Sequence, residues 1–209
     1  MYWQVIKKPH VYWRLLGIVF TIVLLGFLVT VQHGVKQLDA LAAIQMGDFK
    51  LAYTLWMQPK SKWSPETQRG YALMHLRGEY IAQDFKLGKS YLIAAADRCD
   101  PIAMRELGLI FYKGESVGQD FKLSYHWIHK AAQHGDTMSM NAVAWMYANG
   151  VGVDRDLSKA LHWYGVAYML HDPAAKPLLE QMKVFFKPEE FSLFMQSLSA
   201  SLWQPEKAC

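Results

Sequence analysis

Three histidines lie close together in the sequence and could, by type and spacing, bind a metal ion. His126 and His129 are three residues apart, which would place them on one face of a helix, and His134 follows shortly after them. Imidazole nitrogens are common zinc ligands, but no acidic side chain or cysteine in this pattern completes a ligand set. His126 also recurs as His162, again directly before a tryptophan. We therefore interpret the histidines as repeated surface positions and predict no metal site.

The sequence contains no arrangement of residues that is typical of catalysis. It has no Ser-His-Asp order, no Walker-type phosphate loop and no dinucleotide-binding glycine pattern. The string GVGV at 150–153 joins two predicted helices, whereas phosphate loops follow a strand. Glu189 and Glu190 fall in the first turn of a predicted helix, where acids stabilise the helix dipole. We predict no enzymatic activity, no catalytic residue, no cofactor and no small-molecule substrate.

Four aspartates instead mark a sequence repeat. Asp48, Asp84, Asp120 and Asp156 are spaced 36 residues apart, in the strings GDFKL, QDFKL, QDFKL and RDLSK. A fixed period of about 20 to 50 residues is typical of stacked repeat proteins. In each unit the aspartate would cap the second of two helices, and a glycine would end the first helix in a left-handed conformation. Those glycines are Gly78, Gly114 and Gly150.

The repeat predicts an all-α fold in which αα-hairpins stack into a solenoid, because one unit alone cannot bury its apolar face. Tyr91, Trp127 and Trp163 share one position of the second helix, and we expect these aromatic side chains in the core between units. The predicted divisions are a basic arm (1–12), a transmembrane helix (13–32), the repeats (33–172) and capping helices (173–209). Within the repeats we place a half-unit at 37–64 and units at 66–100, 102–136 and 138–172.

The amino-terminal segment is predicted to be a membrane anchor. Residues 15–31, LLGIVFTIVLLGFLVTV, form an uncharged run of 17 residues. With its flanks it approaches the length that a bilayer core of about 30 Å requires. Lys7, Lys8 and Arg14 precede the run and only Lys36 follows it closely, so the amino terminus is expected in the cytoplasm. A cleaved secretory signal is the alternative, but such signals have shorter apolar cores and an A-x-A-like exit.

Net charge and cysteine content exclude further classes of protein. The formal net charge is +4, and residues 1–32 contribute three of these charges, so the rest of the chain lacks the positive field of a nucleic-acid-binding protein. Cys99 and Cys209 are the only cysteines, too few for a disulfide framework. A linear solenoid would place them far apart. We therefore favour two unpaired thiols, with a bridge between molecules as the alternative.

Two longer stretches carry a resemblance to a known family. They are ELG…FYKG…V.QD…W..KAAQHGD from Glu106 to Asp136 and AWMYANGVGVDRDLSKALHWY from Ala144 to Tyr164. Both resemble the Sel-one-like repeat family, a branch of the tetratricopeptide-like helical solenoids. The resemblance implies a superhelix that binds a protein partner without catalysis, and members of the family usually scaffold or regulate envelope assemblies.

We predict a membrane-anchored adaptor or scaffold of the bacterial inner membrane, whose periplasmic repeat domain binds a protein partner in an envelope complex. One alternative is an accessory factor that binds envelope polysaccharide or peptidoglycan, which requires Trp56, Trp63 and Trp145 to share an exposed face. Another is a subunit held in a membrane complex by its span. Gly17 and Gly26 lack the four-residue spacing that is typical of paired membrane helices, which weakens this last hypothesis.

A stripe along the first helices is the predicted partner-binding surface. In each unit a polar residue is followed four positions later by a large apolar residue on the same helix face. The pairs are Arg69 with Leu73, Arg105 with Leu109, and Asn141 with Trp145. They are offset from the expected core positions Ala103, Leu107 and Phe111, and the resemblance implies that first helices line the concave side. The alternative is that the apolar residues pack against the neighbouring unit while the arginines stay solvated.

The charge asymmetry around the span predicts that residues 40–209 lie across the membrane from Lys7 and Lys8. We expect a reporter enzyme that works only outside the cytoplasm to be active when it is fused after Cys209. Activity of a cytoplasmic reporter at the same position, with a silent periplasmic one, would reverse the orientation.

Overall fold

The computed structural model describes residues 40, 42–56, 63–79, 81–114, 117–200 and 205. This part of the chain contains helices and no strand, which confirms the all-α class. No helix within it has the length and apolar character needed to cross a membrane. The predicted arm (1–12) and span (13–32) lie outside the described residues. The chain divides into two compact units, Met1–Lys60 and Ser61–Cys209.

The first unit contains helical residues 42–45 followed by helix α1, Phe49–Trp56. Asp48 caps α1, because its carboxylate accepts a hydrogen bond from the backbone N–H of Leu51 at 3.0 Å. The string GDFKL therefore opens a helix, as its likeness to the other repeat strings predicts. Among the side chains of this helix that the structure describes, those of Ala52 and Trp56 are buried.

The second unit is a series of antiparallel helix pairs. Its described helices are α2 (Pro65–Arg77), α3 (Phe85–Ala96), α4 (Pro101–Lys113), α5 (Phe121–Gln133), α6 (Thr137–Asn149), α7 (Leu157–Met169), α8 (Ala175–Met182) and α9 (Pro188–Ala200), with a 3-10 helix (Lys183–Phe185) before the last. Three hairpins result, α2–α3, α4–α5 and α6–α7, and each packs against the next. Helices α8 and α9 pack against α7 and form a cap at the carboxyl end. The predicted solenoid architecture is confirmed.

Aspartates and glycines set the helix ends inside each hairpin, as predicted. The carboxylates of Asp84, Asp120 and Asp156 each accept a hydrogen bond from the backbone N–H three residues later at 2.9 Å. Gly78, Gly114 and Gly150 end the first helices with φ of 68, 74 and 70°. The residue before each aspartate then closes the loop: the side chains of Gln83, Gln119 and Arg155 donate to backbone carbonyls of Leu76, Tyr112 and Ala148.

The core lies where helices of adjacent hairpins meet, and small side chains let these helices approach. Ala95, Ala96, Ala103 and Leu107 are fully buried in one cluster, and Val143, Ala144, Ala160 and Ala167 are fully buried in a second. The core positions predicted for Ala103 and Leu107 are confirmed, whereas Phe111 is half-buried.

The repeated aromatic residues lie at the rim of the core rather than inside it. Tyr91 and Trp127 pack against the first cluster and Trp163 against the second, and all three are only partly buried. Lys130 Nζ lies 5.6 Å from the centre of the Trp127 ring, so this ring faces an ammonium group as well as the core. Trp127 thus packs against the core on the predicted helix face, as a partly buried residue at the edge of the cluster.

Cys99 is disulfide-bonded, which contradicts the expectation of unpaired thiols. Cys209, the other cysteine of the sequence, lies outside the described residues. The expectation rested on the separation of the two cysteines along a linear solenoid, and separation in the sequence does not decide which thiols are bonded.

Two glycines of the third hairpin differ in what surrounds them, although both have φ of 70°. A Cβ at Gly152 would overlap with the carbonyl oxygen of Phe121 in the preceding hairpin, whereas a Cβ at Gly150 would lie 3.5 Å from the nearest atom, Cβ of Arg155. Gly152 is thus required for two backbones to approach each other, and Gly150 only for a left-handed turn.

We expect Gly150→Ala to lower the free energy of unfolding by about 1–2 kcal/mol, the usual cost of a left-handed residue. Gly152→Ala should lower it by at least about 3 kcal/mol, because the added methyl group also displaces packed backbone. Thermal and urea unfolding of the two variants measure the difference. Equal losses would contradict the close approach of Phe121 to Gly152.

Candidate functional site

The two arginines of the predicted stripe bind aspartates of the next hairpin. Arg69 Nη1 lies 2.9 Å from each carboxylate oxygen of Asp100, and Arg105 Nη1 lies 2.6 Å from Asp136 Oδ1. The side chains of Arg69 and Asp100 are 17% and 1% exposed, and those of Arg105 and Asp136 are 18% and 11% exposed. Both ion pairs are thus largely shielded from water. We call them the clamps.

The same aspartates begin the first helices of the hairpins to which they belong. Asp100 caps α4 and accepts a hydrogen bond from the Ala103 N–H at 2.8 Å, while Asp136 caps α6 and accepts one from the Ser139 N–H at 2.9 Å. These carboxylates were missed as functional residues in the sequence. The signal was present, because Asp100 and Asp136 repeat at the same 36-residue spacing as Arg69 and Arg105.

The third hairpin departs from this arrangement. Asn141 occupies the position of the two arginines, and its Oδ1 atom is buried without a hydrogen-bond partner among the described residues. Asp172 occupies the position of the clamp aspartates, but its carboxylate accepts a hydrogen bond from the Ala174 N–H, two residues later, at 2.8 Å. Helix α8 begins at Ala175, and its N-cap residue Ala174 makes no side-chain capping hydrogen bond. The series of clamps therefore ends before the cap helices.

The apolar residues of the stripe border two grooves between neighbouring first helices. The first groove, between α2 and α4, has a volume of about 180 Å³ and contains Leu73 and Leu109 in its walls, with Arg77, Glu106 and Lys113 beside them. The second groove, between α4 and α6, has a volume of about 280 Å³. It is lined by Leu109, Tyr112, Ile128, Ala142, Trp145 and Met146. Leu109 belongs to both grooves, which are therefore adjacent.

The second groove is the more apolar of the two and has a defined floor and wall. Ile128 at its floor is 3% exposed, whereas Trp145 in its wall is 42% exposed. The Tyr112 ring lies edge-on to Trp145 with 6.3 Å between ring centres, and edge-on to Phe121 with 5.5 Å. None of the lining residues is charged. A groove of this kind can receive a bulky apolar side chain and shield it from water.

The histidines do not assemble a ligand set, and the shifted pKa values lie away from the grooves. His129 stacks on Tyr125 and lies edge-on to Trp163. Within the described ranges no group of three histidine, cysteine or acidic side chains could hold a metal ion. Burial lowers the pKa of His162. Burial and a hydrogen bond to the Tyr147 hydroxyl raise the pKa of Tyr125, as expected for packed side chains.

The exposed aromatic face required for sugar binding is not formed by the three tryptophans that could build it. Trp56, in the first unit, is 3% exposed, and Trp63, in the second unit, is 5% exposed. Trp145 alone of the three presents a large part of its ring to water.

Helix pairs of this length, period and capping match a known repeat. Three segments, residues 65–98, 101–136 and 137–172, match the Sel1 repeat and together cover half of the chain. The chain belongs to the Sel1 repeat family. Sel1 repeats generally mediate protein–protein interaction and are typically not catalytic. No curated protein matches the chain.

Two solved structures show the same fold as this Sel1 repeat protein. A Sel1 repeat protein from Oxalobacter formigenes is 24% identical, with a TM-score of 0.53, over 69% of this chain and 96% of that one. The protein c5321, a protective antigen present in uropathogenic Escherichia coli strains displaying an SLR fold, is 21% identical, with a TM-score of 0.67. That match covers 80% of this chain and 38% of c5321, so this chain corresponds to less than half of that protein.

The clamps predict that substituting two arginines of the first helices lowers the free energy of unfolding by very different amounts. Arg105→Met leaves the shielded Asp136 carboxylate without its cation and should lower the free energy of unfolding by about 1.5–3 kcal/mol. Arg77→Met is the matched control, because the Arg77 side chain is 54% exposed and its Nη1 atom lies 3.9 Å from Glu79 Oε2. It should cost less than about 1 kcal/mol. Urea unfolding checks both, and equal stability of the two variants would show that the Arg105–Asp136 pair does not hold the hairpins together.

Proposed function

We propose that this Sel1 repeat protein is a non-enzymatic adaptor, anchored in the bacterial inner membrane by residues 13–32, whose periplasmic repeats bind a protein partner of an envelope complex. The observation that carries the proposal is the second groove. It is open, lacks charged lining residues and has Trp145, 42% exposed, in its wall. Tryptophan at the edge of an apolar pocket is among the most frequent hot spots of protein interfaces.

The clamps change which residues of the predicted stripe should contact the partner. An arginine that turned toward a partner would leave Asp100 or Asp136 without its cation, and an unpaired shielded charge is costly. We therefore assign partner contact to Leu73, Leu109 and Trp145. The arginines keep neighbouring first helices at a fixed separation and so hold the grooves open. Asn141 lies one turn before Trp145, but its Oδ1 atom is buried, so the proposal assigns no partner contact to this oxygen.

The proposed location has support from chemistry as well as from charge. Cys99 is disulfide-bonded, and disulfides persist in oxidising compartments such as the bacterial periplasm. The lysines and arginine before the apolar run favour the same orientation, with the repeats outside the cytoplasm.

A protein partner is favoured over a polysaccharide by the shape of the surface. Sugar rings stack on exposed aromatic faces, but Trp56 and Trp63 are buried. The grooves instead offer two adjacent recesses with apolar side chains in their walls, which suits the side chains of a polypeptide.

The test compares two truncations of exposed apolar residues. Full-length protein is cross-linked in intact cells and the captured proteins are identified by mass spectrometry. Trp145→Ala should reduce capture of the partner by at least about tenfold, because a hot-spot tryptophan is removed. Ile93→Ala is the matched control, since Ile93 is 38% exposed on α3, a second helix, and lines neither groove.

Ile93→Ala should retain every captured protein, and both variants should unfold within about 1 kcal/mol of the parent, as most surface changes do. Unchanged capture by Trp145→Ala, or an equal loss with Ile93→Ala, would rule out the groove as the binding surface.

A further inference from the structure

An equivalent position in the last turn of each first helix is polar, and its charge changes along the array. Arg77 in α2, Lys113 in α4 and Asn149 in α6 are spaced 36 residues apart. Arg77 and Lys113 both line the first groove. The Asn149 amide instead donates a hydrogen bond to the Trp145 carbonyl at 2.8 Å, and the described lining of the second groove contains no charged side chain. The first groove therefore carries two cations, and the second is uncharged.

The two cations are not needed to hold the fold together. Basic side chains in a last turn stabilise the helix dipole, but α6 ends without one, at a left-handed glycine like the other two first helices. Both clamps use other arginines. Arg77 Nη1 lies 3.9 Å from Glu79 Oε2, and the two side chains are 54% and 36% exposed. A pair so exposed contributes little, so Arg77 can exchange it for a carboxylate of a partner.

The apolar side chains one turn earlier change in the opposite sense. Leu73 and Leu109 are followed in the third hairpin by Trp145, which has the larger apolar surface and lies in the wall of the second groove. The Tyr112 ring lies edge-on to it and adds a second aromatic side chain to the same wall. Positive charge is thus concentrated at the first groove and aromatic surface at the second, so the two grooves favour different side chains.

The charges of the first groove favour an acidic side chain in it. Its described lining contains two cations and a single acid, Glu106. Glu106 lies two turns before Lys113 on α4, about 10 Å away along the helix axis, so the end of the groove that Lys113 occupies stays positive. A partner carboxylate placed there meets opposite charge, whereas a partner ammonium group would meet like charge.

An extended polypeptide has the right spacing to enter both grooves. The grooves lie one repeat apart, about 10 Å at the usual separation of packed helices. In the polyproline II conformation a chain rises about 3.1 Å per residue with three residues per turn, so side chains three positions apart lie on the same side, about 9 Å from each other. One such segment can therefore place one side chain in each groove.

We propose that the grooves bind an extended segment of a partner protein in which an acidic residue and a large apolar residue are three positions apart. The carboxylate binds beside Arg77 and Lys113, and the apolar side chain packs against Trp145. This inference rests on the proposed function, because it specifies the partner of the same grooves. The unequal charge of the grooves also gives the segment a single direction along the array.

A phage-displayed library of random ten-residue peptides, selected on the purified full-length protein, is the probe. In peptides that the wild type selects, aspartate or glutamate should occur three positions from a large apolar residue at least about tenfold more often than lysine or arginine. Lys113→Glu should lower this ratio at least about tenfold. Lys122→Glu is the matched control, because it makes the same charge change at an exposed position of α5 that lines neither groove. It should change the ratio by less than about threefold, since exposed charges further away are screened.

Trp145→Ala separates the apolar half of the inference from the acidic half. It should lower the frequency of the large apolar residue at least about tenfold, because the aromatic wall that receives this side chain is removed. Selection of the same peptides by Trp145→Ala would contradict both the acidic segment and the proposed function.

Two results would overturn the acidic segment while the proposed function stands: selected peptides with a large apolar residue but no preference for acids, or an equal shift with Lys122→Glu. No enrichment of any peptide would also overturn it, and capture in cells with Trp145→Ala then decides separately whether the groove binds a folded partner surface. A dimer that Trp145→Ala dissociates in analytical ultracentrifugation would assign the grooves to a second copy of the chain.

Discussion

The array depends on a carboxylate that makes two contacts: it caps the first helix of its own hairpin, and it forms an ion pair with an arginine of the preceding hairpin. The Asp100 side chain is 1% exposed, and a charge so shielded is tolerated only when it is paired and hydrogen-bonded. The Asp100 carboxylate accepts hydrogen bonds from both the Ala103 N–H and the Arg69 guanidinium. Because the first contact starts α4 and the second fixes α2, one residue sets both where a helix begins and how the neighbouring hairpin lies against it.

The grooves follow from this connection. Arg69 and Arg105 lie in the amino-terminal halves of α2 and α4, whereas Leu73 and Leu109 lie one turn further along the same helices. The clamps join the hairpins at one level, and the grooves lie between the first helices further along. Residues four positions apart on one helix face therefore have different tasks, one holding the hairpins together and the other lining an open surface.

Whether a contact could be predicted from the sequence depended on how many positions separate the two residues that make it. Caps join residues three positions apart, so the strings around Asp84 and Asp120 predicted helix starts that the structure confirms. The clamps join residues 31 positions apart, and the same spacing was equally compatible with arginines facing water or a partner. Helical periodicity placed Trp127 on the correct face but does not define depth, which depends on how closely the next hairpin approaches. The grooves could not be predicted, because each is lined by residues of three helices from two hairpins.

The end of the array shows that the clamp is a property of geometry as well as of residue type. Asp100 and Asp136 accept the N–H of the third residue after them, as helix caps do, whereas Asp172 accepts that of the second, in a turn before α8. Its carboxylate is thus committed to a different local structure, and Asn141 replaces the arginine in the same hairpin. Loss of the cap geometry and loss of the arginine occur together, because a guanidinium at this level would have no helix-capping carboxylate to bind. At this end of the Sel1 array the last helix is held by apolar packing of α9 on α7, where Leu198 is 3% exposed against Gly165.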